Sequence, residues 1–277
     1  MLSAGLGPRR RGSGAKASCS PVAGSSFRNS GFLLSSSPAM HISPRAKARL
    51  VRSADDYGIR DTVRRILPLA EADKLDRVAV MARYCTPADA RALAATSVKI
   101  DIHLDLIGLM GRGAEDGHGT LRRGAHFAVR RFLGRIPASA VEAEWRAQIA
   151  RFHELFGRYP DGLNSHEHVH FFPGFFPVII ALAHEFRVPY IRFGLRGMLL
   201  SEHHSAIGHI LNQLARTGHR RFAGAGLATS TYLVSLDWVH GKERFFHALE
   251  DLSDEETVEL VVHPERDRES EFIQRHL

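Results

Sequence analysis

From about residue 47 onward the chain alternates strand-like and helix-like runs, and this alternation restricts the possible folds more than any other feature. ARLVRSA (48–54) reads as a strand followed by a helix near 60–72, and RVAVMA (77–82) reads as a strand followed by the short helix PADARALAAT. VKIDIHLDL (98–106) alternates strictly and gives a third strand. Residues 107–137 are Gly-rich and irregular, too long for a plain connection, and predict an active-site loop or lid. A helix over 138–157 leads into GLNSH, FFPVIIALAHEF reads as a helix, and VPYIRF (188–193) reads as a strand. A helix over 203–218, the strand TYLVSL (231–236), a helix over 242–251 and the strand VELVVHP (258–264) complete the pattern. Repeated β–α units return the chain to the same end each time, so the strands run parallel. About seven such units predict a (β/α) barrel-like fold, a distorted or incomplete TIM-type barrel, in which chemistry gathers at the C-terminal ends of the strands.

Composition bounds the partners. Of the 277 residues, 44% are apolar, enough for a sizeable core. The formal charge of +7 suggests nucleic acid until its position is considered. Residues 1–54 hold nine of the 37 Lys and Arg and no acid, so 28 basic residues face 30 acidic ones over the rest of the chain. A near-neutral domain lacks the clustered positive surface that phosphate backbones require, and no nucleic-acid partner is expected. Residues 1–42, rich in Arg and Ser, are expected to be a disordered extension, with 43–277 as one domain. That extension fits either an organelle-targeting leader or a start codon placed upstream of the true one, for which Met40 is a sensible candidate. Cys19 and Cys85 are the only cysteines, so the domain has neither a disulfide framework nor a thiolate metal motif. No run of 18 apolar residues occurs, and a cytoplasmic protein without a transmembrane segment is expected. Nothing in the sequence specifies a homo-oligomer or argues against one.

Four polar clusters fall at expected strand ends: SADDYG (53–58), DIHLDL (101–106), NSHEHVH (164–170) and VVHPE (261–265). Each has an ordinary explanation alone, such as helix capping for Asp55 and Asp56 or core hydrogen bonding for His103. Their coincidence points to a shared site. One carboxylate and two imidazoles form a facial set for a divalent ion, with positions left for water and substrate. A second carboxylate can take a proton from water, and a histidine opposite can protonate a leaving group. Adjacent strand residues point to opposite faces, so Asp55 and Asp56 can cooperate only if the chain turns there, and Gly58 permits a turn.

His166, His168 and His170 share a face if their stretch is extended. Alternate strand residues lie about 6.5 Å apart, whereas ligand atoms around one ion with bonds of about 2.0–2.1 Å lie near 3 Å apart. One of the three is therefore expected to coordinate, with the others holding substrate or orienting the ligand. Spacing does not say which.

These segments resemble the motifs of the YdjC-like carbohydrate deacetylases. SADDYG resembles the family's N-A-D-D-F-G opening and DIHLDL its G-x-H-x-x-L segment. LNSHEHVHFFPGFFP is similar to L-D-S-H-x-H-V-H-x-x-P, the most specific of the set, and VVHPE to C-H-P. The matches run in order over roughly 47–265. The resemblance implies a (β/α) barrel-like enzyme that removes N-acetyl groups from sugars with one divalent metal ion, Mg or Zn foremost. Carried over by position, it implies Asp56, His103 and His166 as ligands, Asp55 as base and His263 as acid. His168, His170 and Arg192 are then expected at an acetylated amino-sugar substrate.

Departures from the pattern are Asn164 for an Asp, Val262 for a Cys and Asp101 for a Gly. Only 13 residues follow Pro264, so thin cover over the last strand is expected. Phe171, Phe172, Phe175 and Phe176 fit a sugar-stacking surface or core packing equally. Arg122-Arg123, Arg130-Arg131 and Arg220-Arg221 read as solvated surface, as do His203, His204 and His209. A metal-dependent phosphoester hydrolase and a non-catalytic sugar-binding relative remain the competing readings.

Overall fold

Six strands form one parallel sheet in the order β4-β3-β2-β1-β6-β5. The structure is a computed structural model, and it describes residues 42–59, 61–109, 136–199, 206–239 and 242–277. A helix α1 (Pro44–Lys47) precedes β1 (Leu50–Tyr57), α2 (Thr62–Glu71), β2 (Arg77–Val80), α3 (Pro87–Ala94) and β3 (Lys99–Leu104). The long α4 (Ala138–Phe156) follows, then β4 (Leu163–Ser165), a tight turn of 3-10 helix (His166–Phe171) and α5 (Phe176–Glu185). The chain closes with α6 (Ala206–Ala223), β5 (Tyr232–Ser235), a short 3-10 turn (Leu236–Trp238), α7 (Lys242–Glu250), β6 (Val258–Val262) and α8 (Asp267–His276).

Local chemistry explains these elements. Helix α3 opens on a capping box in which Thr86 and Asp89 satisfy each other's backbone N–H, with Pro87 in the first turn. Helix α4 buries Val141, Trp145, Ile149 and Phe152, a stripe with helical spacing, and ends on Gly157 in the left-handed region. Trp145 meets Phe175 edge-on at 6.2 Å, which ties α4 to the start of α5.

The expected barrel is present in distorted form. VPYIRF is not a regular strand: Ile191 bridges Leu163 of β4, Tyr190 bridges Ala228, and Met198 bridges Leu233 of β5. Residues 190–199 thus join the two edges of the sheet through isolated pairings, where a seventh continuous strand was expected. Every residue of β6 is buried, and α8 places Phe272 and Ile273 in the core with Phe272 against Phe246 of α7, which corrects the expectation of thin cover over the last strand. Ile42, placed at the end of the expected N-terminal extension, is also a core residue. Residues 1–41, most of the expected 107–137 loop, both central arginine pairs and His203 and His204 lie outside the described residues. Arg220, Arg221 and His209 are exposed, as expected. Among the described residues, no helix is long and apolar enough to cross a membrane.

Candidate active site

The inward faces of the strands are polar, and the polar groups form a connected network. One part of it centres on Asp101, where the family pattern has glycine. It receives two hydrogen bonds from Arg77, at 2.7 and 2.6 Å, and the Arg77 guanidinium sits 4.0 Å over the Tyr190 ring. Tyr190 donates to Glu259 Oε2 at 2.6 Å. Fully buried Arg192 donates to Glu259 Oε1 at 2.6 Å, to Asp55 Oδ2 at 2.7 Å and to Ser53 Oγ at 2.6 Å. Arg192 was expected to face substrate. The structure instead places it beneath the site, with its donors committed to two carboxylates and a hydroxyl.

Asp55 and Asp56 cooperate because β1 bulges between them and Tyr57. Ala54 pairs with Val78 and Tyr57 with Val80, so β1 spends one more residue than β2 over this span. Asp56 takes up the excess at φ 66°, a left-handed conformation that costs a non-glycine residue energy and is found mostly where function over-determines the backbone. Ser53 and Asp55 keep the inward face that alternation assigns them, and the bulge swings Asp56 to the same side. The turn continues through Gly58 at φ 104°, where a Cβ would lie 3.0 Å from the Cys85 backbone.

Asp56, His103 and His166 come together there, each offering one ligand atom within 4.8 Å of the others. Asp56 Oδ1 lies 2.9 Å from His166 Nδ1 and 3.3 Å from His103 Nε2, the separations expected of donors around one ion. The two rings stand edge to face, 5.5 Å between centroids. His103 is oriented from behind by Asn164, whose Oδ1 accepts from Nδ1; this leaves Nε2 facing Asp56. The neutral amide therefore supplies the orienting contact that the family's aspartate would provide. Val262 is buried strand core, and its difference from cysteine has no visible consequence at the site.

Electrostatics separate the groups. Burial alone would raise the Asp55 carboxyl, but the Arg192 guanidinium beside it, with His103, holds it below the usual carboxylate range. Burial likewise opposes ionisation of Asp56, and the imidazoles of His166 and His103 overcome it. His166 is pushed up to about 9, burial being outweighed by Asp56. His263 also rises to about 9: burial opposes the charge, while Glu269, Asp56 and Asp55 favour it.

The HEHVH stretch is not a strand. The chain leaves β4 at Ser165 and coils through Glu167 (φ 54°) and His168 (φ 52°), so His166, His168 and His170 part company. His166 faces Asp56. His170 is fully buried, with Nδ1 on Ser165 Oγ at 2.6 Å and Nε2 on the Arg192 carbonyl at 2.8 Å. Both its ring nitrogens are engaged within the fold and the residue is buried, unlike the substrate-facing position expected of it, and burial lowers its pKa to about 3. His168 packs edge-on against Trp238 at 5.3 Å and is held neutral, chiefly by burial, then by Arg192. Phe171, Phe175 and Phe176 are core residues and Phe172 packs against that core, which rules out a stacking surface built of these four.

Motif reading missed Ser53, Glu259 and Glu269. Glu259 had a usable signal, since a carboxylate inside VELVV must be paired to be buried. Glu269 had none, lying in a polar helical turn like many others.

Comparison with known proteins agrees with this picture. Residues 49–276 match the family described as YdjC-like protein. Among curated relatives, the chain is 44% identical to the chitooligosaccharide deacetylase of Escherichia fergusonii over 52 residues, 19% of this chain and 21% of that one. It is 30% identical to the carbohydrate deacetylase of Danio rerio over 158 residues, 54% of this chain and 50% of the relative. These matches span half or less of the relatives' own length. A crystal structure from Enterococcus faecalis, named for cellobiose-phosphate cleavage, superposes with a TM-score of 0.51 at 19% identity, over 77% of this chain and 80% of that one. This likeness bears on the fold alone.

Proposed function

The chain belongs to the YdjC-like family, and on that basis we propose that it is a metal-dependent hydrolase removing N-acetyl groups from acetylated amino sugars, of the chitooligosaccharide or lipid-linked N-acetylglucosamine type. The observation that carries the reading is the convergence of Asp56, His103 and His166 beside a buried, ionised Asp55.

A divalent cation, Mg or Zn foremost, fits this donor set: one carboxylate and two imidazoles at ligand spacing, one imidazole fixed by Asn164. Asp56, His103 and His166 would hold it. When bound, such an ion supplies Lewis-acid polarisation of a carbonyl and acidifies water.

The chain's own groups do the rest. Asp55 has one oxygen tied to Arg192, while Oδ1 is buried with no hydrogen-bond partner. That unpaired oxygen takes the proton of the attacking water, as the base of the reaction. His263, raised to about 9, is protonated at neutral pH and gives its proton to the departing nitrogen as the acetamide C–N bond breaks. Acetate and a free amine are the products.

Acetate release from N,N′-diacetylchitobiose by the Zn- or Mg-loaded protein tests the proposal, with His166→Ala beside it. The variant is expected to lose metal retention and turnover together. Undiminished turnover by His166→Ala would refute the ligand assignment.

A further inference from the structure

Behind His263 stands a carboxylate that no sequence motif announces. Glu269 lies in the first turn of α8 and is 5% exposed. Its Oε2 accepts from the His263 backbone N–H at 2.7 Å and sits 3.7 Å from His263 Nδ1. Nδ1 is the ring nitrogen buried without a hydrogen-bond partner, so the ring turns this edge inward. Glu269 Oε1 accepts from Arg266 Nη1 at 2.9 Å, and the same Nη1 donates to Asp237 Oδ2 at 3.0 Å. Asp237 Oδ1 in turn accepts from Ser235 Oγ at 2.5 Å, at the end of β5. Glu269 is therefore held from both sides, one oxygen by the strand it serves and the other by an arginine anchored on the next strand.

We propose that Glu269 is the positioning residue of His263: it keeps the imidazole with Nδ1–H directed at Oε2 and leaves Nε2 for the departing nitrogen. This rests on the reading of His263 as the acid. A backbone anchor alone would need no charge, because an amide oxygen accepts from an N–H equally well. What an anionic Glu269 adds is a fixed tautomer and stabilisation of the protonated ring. At 3.7 Å the contact is longer than a hydrogen bond, and the proposal requires the ring to rotate until Nδ1 reaches Oε2. The other charged groups acting on His263 are Asp55 and Asp56 of β1 and Glu265 of its own loop. Asp55 is engaged by Arg192, and Asp56 by His166 and His103. Among the described residues, Glu269 is the carboxylate within ion-pair distance of the His263 ring.

The test uses the Zn-loaded full chain and its Glu269→Gln and His263→Gln variants. Imidazole NMR across the pH range reads which His263 ring nitrogens carry protons, and acetate release from N,N′-diacetylchitobiose reads kcat and KM. The wild-type protein is expected to show His263 protonated at Nδ1, with that proton shifted downfield by a carboxylate. Glu269→Gln should lower kcat about 10–100-fold, the usual effect of losing such an orienting partner, with KM and zinc stoichiometry unchanged and the Nδ1 signal lost. A wild-type ring protonated only at Nε2, or a Glu269→Gln enzyme with wild-type kcat and spectrum, would overturn the proposal; the wild-type spectrum decides even if the variant does not fold. Full activity in His263→Gln would instead remove His263 as the acid, while the spectra still report whether Glu269 sets the ring.

Discussion

Replacing Arg192 with leucine removes a buried cation that binds Asp55, Glu259 and Ser53 together inside the sheet. Breaking a buried pair by deleting one partner costs roughly 3–5 kcal/mol, because the other charge is left without compensation. Here Asp55 loses its guanidinium and Glu259 is left with the Tyr190 hydroxyl, so two carboxylates are weakened at once and the upper half of that range applies. For a domain of this size each kcal/mol lowers Tm by about 2–4 °C, and a drop of roughly 10–15 °C is expected. The sign of the pH dependence follows from Asp55. Its carboxyl is depressed in the folded wild type, so it contributes stability above the unfolded carboxylate pKa that is lost as pH falls through the folded value. In Arg192→Leu burial is unopposed at Asp55 by its main partner, and the carboxyl rises above its unfolded value. The variant should then regain stability relative to wild type as pH falls from 8 to 5, since protonation relieves the stranded charge. Thermal melts of the metal-free proteins at the two pH values measure this. A Tm loss below 3 °C, or a deficit that widens on acidification, would refute the view that Arg192 compensates buried carboxylates.

Other outcomes follow from the same geometry. Asp55→Asn should retain one metal per chain yet lose acetate release by about 10²–10⁴-fold, the usual contribution of a positioned base; steady-state kinetics with metal analysis checks both halves. Asn164→Ala leaves His103 Nδ1 without its acceptor and should weaken metal binding about 10–100-fold, whereas Asn164→Asp should bind at least as tightly as wild type, as read by competition with a chelator. Gly58→Ala forces a Cβ to 3.0 Å from Cys85 at φ 104°, and a stability loss of at least about 1–3 kcal/mol by denaturant titration is expected.

The parallel architecture was readable because β–α alternation leaves few alternatives, and the polar strand ends DD, DIH, NSH and VHP marked where the chemistry would gather. What escaped the sequence has definite physical causes. HEHVH satisfies the two-residue period of a strand, yet Glu167 and His168 in the left-handed region coil it, and nothing in the residue type of Glu167 announces that conformation. That coil sends His170 into the core and leaves only His166 at Asp56. Arg192 reads as a pocket residue from its place near the end of VPYIRF, the one cue available to it locally. Its acceptors, Glu259, Asp55 and Ser53, lie far from it in the chain, so nothing beside Arg192 itself announces them. Asp101 stands in the sequence as a departure from glycine, and its partner Arg77 on the neighbouring strand accounts for its burial.

An anomalous-difference map from crystals soaked in zinc, recorded at the zinc edge, tests the central claim most directly. One peak is expected within about 2.0–2.2 Å of Asp56, His103 and His166 together. A saturated crystal with no density there, or with its peak held by other side chains, would contradict it.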